Sequence, residues 1–242
     1  MSASSTTFQQ APWRTLGIGL ASAGFEKVFI VLGRHKGQIM EYFRDGSNFG
    51  IRIAYLYQDM EHGEGTAKAV EAAEDWVTGD FMVIYGDSFF HPANFFREMV
   101  QLHETEKPHA TMGVYLMNRY REFGLLKVGD GLIKDSIERP SEAEAEEAKI
   151  NGLYPVNSGP MIFNPTVFKY VKKTGRSPSG EYWITDTVKL MIKDGLKIKA
   201  YIIPKTVFWR DIGRPEARIE AEKYMLENTA KTQAKHTGEN PM

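Results

Sequence analysis

Two segments, Phe81-Met-Val-Ile-Tyr-Gly-Asp87 and Val207-Phe-Trp-Arg-Asp211-Ile-Gly-Arg-Pro215, each run apolar residues into one aspartate. A short apolar run stopped by glycine reads as a buried parallel strand. In open α/β sheets, ligands bind just beyond the carboxyl ends of such strands. Taken alone, each aspartate also reads as a turn cap. Taken together, two strand-end carboxylates that meet around one divalent ion suit phosphoryl or nucleotidyl transfer.

Three other segments offer polar groups at element ends. Gln58-Asp-Met-Glu-His-Gly-Glu-Gly65-Thr66-Ala67 is a glycine-rich passage from strand to helix. Backbone amides at a helix start can hold an anion or a base edge, and the Gln58 amide can pair with a nucleobase. Glu138-Arg139-Pro140 ends a strand; Glu138 can accept sugar hydroxyls and Arg139 can pair with a phosphate, while an exposed ion pair is the plainer reading. Asn157, in Val156-Asn-Ser-Gly159, offers both a donor and an acceptor. Gly17-Ile-Gly19-Leu-Ala-Ser-Ala-Gly24 fails as a dinucleotide fingerprint. Ser22 stands where the third glycine is required and no strand precedes it, so we expect a helix over Leu16–Ala23 capped by Gly24. Asp186 reads as a first-turn helix charge.

The elements that carry these groups alternate. Val28–Leu32, Ile51–Tyr57 and Phe81–Tyr85 read as strands, and His35–Phe43, Thr66–Trp76 and Asn94–Glu106 as helices. This spacing implies an α/β fold: a Rossmann-like mixed, mostly parallel sheet with helices on both faces. Val28–Leu32 and Phe81–Tyr85 are expected to share that sheet. After Pro108, Thr111–Met117, Gly124–Val128 and Leu132–Ile137 are closely spaced strands, a small β-rich extension suited to sugar binding. Ser141–Lys149 is an acidic surface helix or insert. Helices are expected at Pro165–Lys173, Trp183–Lys193 and Pro215–Leu226, with a strand at Leu196–Ile203. Residues 1–19 form an atypical leader, with Met1–Thr7 expected to be disordered. Residues 20–227 form the domain, and 228–242 a polar, frayed tail.

With 242 residues the chain can bury a full core. A formal net charge of −1 argues against a surface that coats nucleic acid. Without cysteine, thiol catalysis, disulfides and thiolate zinc are excluded. That composition is compatible with a cytoplasmic setting, which is the expected localisation. No apolar run approaches the roughly 20 residues of a membrane span, so no membrane partner is expected.

In chain order these motifs resemble those of the sugar-1-phosphate nucleotidyltransferases, from about Leu20 to Leu226. Ala21-Ser-Ala-Gly-Phe-Glu-Lys-Val resembles the family's helix-to-strand entry, Gly65-Thr66-Ala67 its G-T-A turn, and Gly86-Asp87 its metal-binding G-D. Phe123-Gly124 resembles Y-G, Glu138-Arg139-Pro140 resembles E-K-P, and Asn157-Ser158-Gly159 resembles N-A-G. Trp209-Arg-Asp211-Ile-Gly-Arg-Pro-Glu216 resembles W-x-D-I-G-T-P-E. The resemblance implies in-line attack of a sugar 1-phosphate on the α-phosphate of a nucleoside triphosphate, releasing pyrophosphate. It makes Asp87 and Asp211 the catalytic pair and the ligands of Mg2+. Gln58, Gly65 and Thr66 would bind the nucleotide, and Gly124, Glu138, Arg139 and Asn157 the sugar phosphate. UTP or dTTP with glucose 1-phosphate is the default substrate pair.

The family normally opens with a strand and a G-G-x-G-T-R loop, followed by P-K-P. Met1–Gly19 holds no counterpart, and Arg14 is its sole basic residue. Poor turnover or none is therefore expected, because lost donors to transition-state charge cost rate steeply. The alternative reading is a non-catalytic homologue that binds or regulates through a nucleotide sugar. Strand edges left without a central neighbour are expected to favour self-association into a homo-oligomer.

Overall fold

The computed structural model describes residues 4–237, with side chains from Trp13 to Asn228. The chain opens with helix α1 (Ser4–Ser22), strand β1 (Lys27–Leu32), α2 (Gly37–Phe43), β2 (Arg52–Tyr57), α3 (Thr66–Glu71), β3 (Phe81–Val83), β4 (Ser88–His91) and α4 (Phe95–Glu106). It continues with β5 (Ala110–Met117), β6 (Leu125–Gly129), β7 (Leu132–Ile137), α5 (Glu142–Ala148) and β8 (Tyr154–Phe163). It ends with α6 (Val167–Val171), α7 (Ile184–Lys193), β9 (Ile198–Ile202), β10 (Phe208–Asp211) and α8 (Pro215–Thr237).

The central sheet has the order β3-β8-β5-β9-β7-β6, and β6 also pairs with β8 through Leu125 and Val156. One face packs Met112, Met161, Phe163, Val188 and Met191 against α3, α6 and α7. The other packs Phe95, Phe96, Met99, Leu125 and Trp209 on the α4 side. β3 and β5 are near-continuous apolar runs because both faces are covered, whereas β7 turns Lys134 outward.

The α/β class holds, but the sheet is divided. β1 and β2 form a separate parallel pair, and β10 and β4 a separate antiparallel pair. In the central sheet only β5 and β9 run parallel as neighbours; the other pairings are antiparallel. The expectation of one mostly parallel sheet containing both Val28–Leu32 and Phe81–Tyr85 is thus corrected. Among the described residues β1 pairs only with β2 and β3 only with β8, since no strand lies between them.

The ends also differ from expectation. α1 begins at Ser4, so the leader expected over Met1–Thr7 is helical wherever it is described; Met1–Ala3 lie outside the described residues. α8 continues to Thr237, through most of the tail expected to fray from Asn228, and residues 238–242 lie outside the described residues. Gly24 closes α1 as expected, with a φ of +93°. The Gly17-x-Gly19 spacing serves packing: a Cβ on Gly19 would lie 2.5 Å from Ala93 Cβ, and one on Gly17 3.0 Å from the Phe49 ring. The acidic run is helix α5, started by a reciprocal Ser141–Glu144 capping box. No described helix is long and apolar enough to cross a membrane.

Candidate active site

Asp87 and Asp211 are brought together by the β4–β10 pair. Asp211 stands opposite Ser88 in the register, and Ile212 N–H donates to the Asp87 carbonyl at 2.8 Å. The position a Gly213 Cβ would take lies 3.0 Å from Asp211 Oδ1 and 3.2 Å from Asp87 Oδ2. The two oxygens are therefore no more than about 6 Å apart, near the span of one Mg2+ with ligands at 2.0–2.1 Å once side chains rotate. Burial raises the Asp87 carboxyl above the ordinary carboxylate range, and the Asp211 charge raises it further. Asp87 stays open to solvent along one side even so.

These hard oxygen donors fit magnesium. Among the described residues no third His, Cys, Asp or Glu joins them. That also fits an ion that keeps waters and substrate phosphates in its shell. Arg218, the nearby guanidinium, donates from Nε to the Ile212 carbonyl at 2.7 Å, leaving the carboxylates without an ion pair among the described residues.

Both aspartates line a trough of 2280 Å³ that also takes in Thr66, Tyr85, Gly124, Glu138, Asn157 and Ser158. Gly124 lies directly against Glu138: a Cβ there would sit 2.9 Å from Glu138 Oε1. The Gly124 carbonyl accepts from Asn157 N–H at 2.9 Å, which ties the β6 entry to β8. Asn157 Oδ1 in turn accepts from Gly159 N–H at 3.1 Å. Gly159 has a φ of +104°, and a Cβ there would meet the Tyr85 ring at 2.9 Å. The N-S-G motif thus shapes the bed on which Tyr85 lies.

Gln58, Gly65 and Arg139 do not line the trough. Gln58 Nε2 donates to the Gly65 carbonyl at 3.2 Å and so braces its own loop. Gly65 has a φ of +110°, and a Cβ there would lie 2.4 Å from the Tyr182 carbonyl oxygen. Ala67 N–H donates to that carbonyl at 2.9 Å, and Thr66 Oγ1 accepts from Ile184 N–H at 2.9 Å. The G-T-A turn therefore pins the start of α7. Arg139 is exposed, with a φ of +50°. Of the nine expected site residues, the trough gathers Asp87, Asp211, Thr66, Gly124, Glu138 and Asn157.

Tyr85 is the residue that motif reading missed. It lines the trough beside Asp87, with the Glu138 and Asp87 charges both close enough to act on its phenol. Burial, then the Glu138 charge, drive its ionisation far above the ordinary range, so it remains a neutral donor. Its place directly before Gly86-Asp87 was the available signal, but an aromatic within an apolar run reads first as core.

A sequence profile of the nucleotidyl transferase family matches residues 16–228. The chain belongs to that family, among the sugar-1-phosphate nucleotidyltransferases. It is 31% identical over 214 residues to the UTP–glucose-1-phosphate uridylyltransferase AglF of Haloferax volcanii, covering 87% of this chain and 82% of that protein. It is 30% identical over 213 residues to the low-salt glycan biosynthesis nucleotidyltransferase Agl11 of the same organism, covering 86% of this chain and 56% of that protein. The chain spans about half the length of several curated relatives it matches, the bifunctional GlmU proteins of Methanococcus among them. A UDP-glucose pyrophosphorylase solved with UDP-glucose superposes with a TM-score of 0.75 at 22% identity, over 89% of this chain and 86% of that one, a likeness of fold.

Proposed function

We propose that this chain transfers a nucleoside monophosphate from a nucleoside triphosphate to a sugar 1-phosphate, releasing pyrophosphate, in nucleotide-sugar biosynthesis. The observation that carries this reading is the convergence of the Asp87–Asp211 pair and the Gly124–Glu138–Asn157 group on one trough. Glu138 and Asn157 would hold sugar hydroxyls, and Gly124 would let the sugar approach the backbone. Gln58, Gly65 and Thr66 would present the nucleotide-facing loop, and Arg139 would reach the sugar phosphate from outside. A phosphate oxygen of the sugar would form the new bond to the α-phosphorus as the bond to the pyrophosphate oxygen breaks. Mg2+ held by Asp87 and Asp211 would supply charge neutralisation on the phosphates.

UTP or dTTP with glucose 1-phosphate is the proposed pair, in line with what the names of two relatives specify for those proteins. A pyrophosphate-release assay across nucleoside triphosphates tests it. Turnover of roughly 1–10³ per second with one pair establishes the activity. A second reading, binding of a nucleotide sugar without turnover, is favoured by the Arg218 geometry, which spends that guanidinium on backbone carbonyls beside the aspartates. Calorimetric binding of a nucleotide sugar, weakened by Glu138→Ala and unaccompanied by pyrophosphate release, would select it.

A further inference from the structure

The two carboxylates meet on the turn Asp211-Ile212-Gly213, and every backbone polar atom of Ile212 and Gly213 has a partner. Ile212 N–H donates to the Asp87 carbonyl at 2.8 Å, and Gly213 N–H donates to Asp211 Oδ1 at 3.0 Å. Both carbonyls accept from one side chain. Arg218 Nε reaches the Ile212 oxygen at 2.7 Å, and Arg218 Nη2 reaches the Gly213 oxygen at 3.4 Å. A planar guanidinium presents its donors as a rigid fork and can hold two neighbouring acceptors at once, which an ammonium does not do. Arg218 is itself held: its N–H donates to the Arg214 carbonyl at 3.1 Å in the first turns of α8. The buried Ala217 and Ala221 seat that helix, and its Tyr224 ring stacks on Phe208 of β10 at a centroid separation of 4.0 Å. The fork therefore projects from a fixed platform onto the peptide that aims Asp211.

We propose that Arg218 is a positioning residue for the metal site: it locks the Ile212–Gly213 peptide and so holds Asp211 in ligating orientation beside Asp87. The proposal rests on the reading of these two aspartates as the magnesium ligands. Mg2+ demands oxygens at 2.0–2.1 Å in near-octahedral geometry, so a ligand that can swing away costs affinity. Asp211 Oδ1 is aimed by the Gly213 N–H, and that N–H is aimed by the turn that Arg218 clamps. Arg218 acts from behind the ligand and touches neither ion nor substrate. Groups that orient a metal ligand in this way typically change metal affinity by roughly 10–100-fold when they are removed. No motif marks the residue, since the W-x-D-I-G-T-P-E pattern ends at Glu216.

The test titrates the full chain with Mn2+, a paramagnetic substitute for Mg2+, and follows the free ion by electron paramagnetic resonance. Wild type should show saturable uptake that Asp211→Asn loses. Arg218→Lys keeps the charge and loses the fork, so its affinity should fall at least roughly tenfold. Arg218→Met should also bind more weakly, because lost alignment outweighs relief from a nearby positive charge. Arg214→Lys is the control: that guanidinium reaches the Glu122 carbonyl at 3.4 Å and the Glu122 carboxylate at 3.6 Å, so Mn2+ affinity should match wild type. Without metal, the Ile212 and Gly213 amides should exchange at least roughly tenfold faster in Arg218→Lys, with β5 and β8 unchanged. A lowered melting temperature with unaltered Mn2+ affinity would make Arg218 a support of the fold alone and overturn the proposal. Tighter binding by Arg218→Met would reduce its role to charge, and unaltered exchange at Ile212 and Gly213 would remove the clamp; either overturns it too. A wild type that takes up no Mn2+ would overturn the metal reading and this proposal together. A binding wild type with unaltered affinity in Arg218→Lys would overturn this proposal alone.

Discussion

Asp87 Oδ2 and Asp211 Oδ1 converge on one point beside Gly213, lying 3.2 Å and 3.0 Å from it, with no opposing cation among the described residues. Two like charges held this close destabilise the folded chain when nothing binds between them. The raised Asp87 carboxyl has a definite sign: the folded state holds its proton to higher pH than the unfolded state does. Stability therefore falls as pH rises from the ordinary carboxylate range through the folded value. Asp87→Asn should raise the melting temperature of the metal-free protein by about 1–3 °C and erase any stabilisation by added Mg2+. Thermal scans with and without Mg2+ check both; an equal Mg2+ response in wild type and variant would separate these carboxylates from the ion.

Gly124→Ala should change binding more than folding. The new methyl meets the end of a flexible side chain, Glu138, which can swing aside. The folding free energy should move by no more than about 0.5 kcal/mol in urea titrations. Affinity for a nucleotide sugar should fall as far as in Glu138→Ala, and the double variant should be no worse than either single one.

Gly65→Ala should be costly, because its neighbour is fixed. The added Cβ would lie 2.4 Å from a backbone oxygen at Tyr182, at a φ that side chains resist. A loss of about 2–4 kcal/mol is expected from denaturant unfolding. Thr66→Val removes one hydrogen bond to Ile184 and should cost about 1 kcal/mol.

The fold was legible where side-chain periodicity is strong. The helical spacing of Asn94–Glu106 placed α4 within one residue of its start, and Leu132–Ile137 matches β7 at both ends. β8 was obscured by Pro155, Gly159 and Pro160, residues that argue against a strand. The chain accommodates them with a register shift opposite Met112–Val114, where Gly113 faces Pro160. The meeting of Asp87 and Asp211 could be expected from their matching contexts. The bracing of Gly65 by Tyr182 could not, because that contact joins segments more than a hundred positions apart and leaves no local pattern.

His103 gives the protein an acid-sensitive joint away from the site. Its ring is buried, with Nδ1 2.7 Å from Thr111 Oγ1 and Nε2 3.2 Å from Asp80 Oδ2. Burial lowers its pKa below the ordinary 6.5, with Asp80 and Glu104 opposing in part. The unfolded chain binds the proton more readily, so stability is lost as pH falls below that ordinary value. His103→Gln should flatten the pH dependence of the melting temperature between about pH 7 and 5. An unchanged slope would assign the acid response to other groups.

The separation of β1 and β2 from the central sheet governs how the molecule comes apart. Neither of the two large apolar clusters contains a residue of either strand. A lone two-stranded ladder is marginal in water. From this ladder Phe29 reaches the Trp76 ring at 6.3 Å, while α2, which follows β1, is held to α1 by the ring contacts of Trp13 with Tyr42 and Phe43. Residues 27–57 should therefore melt as a cooperative unit of their own before the rest, and a single unfolding midpoint would misdescribe the chain. Limited trypsin should cut first at the exposed Arg34, Lys36 and Arg52, leaving the larger C-terminal portion resistant.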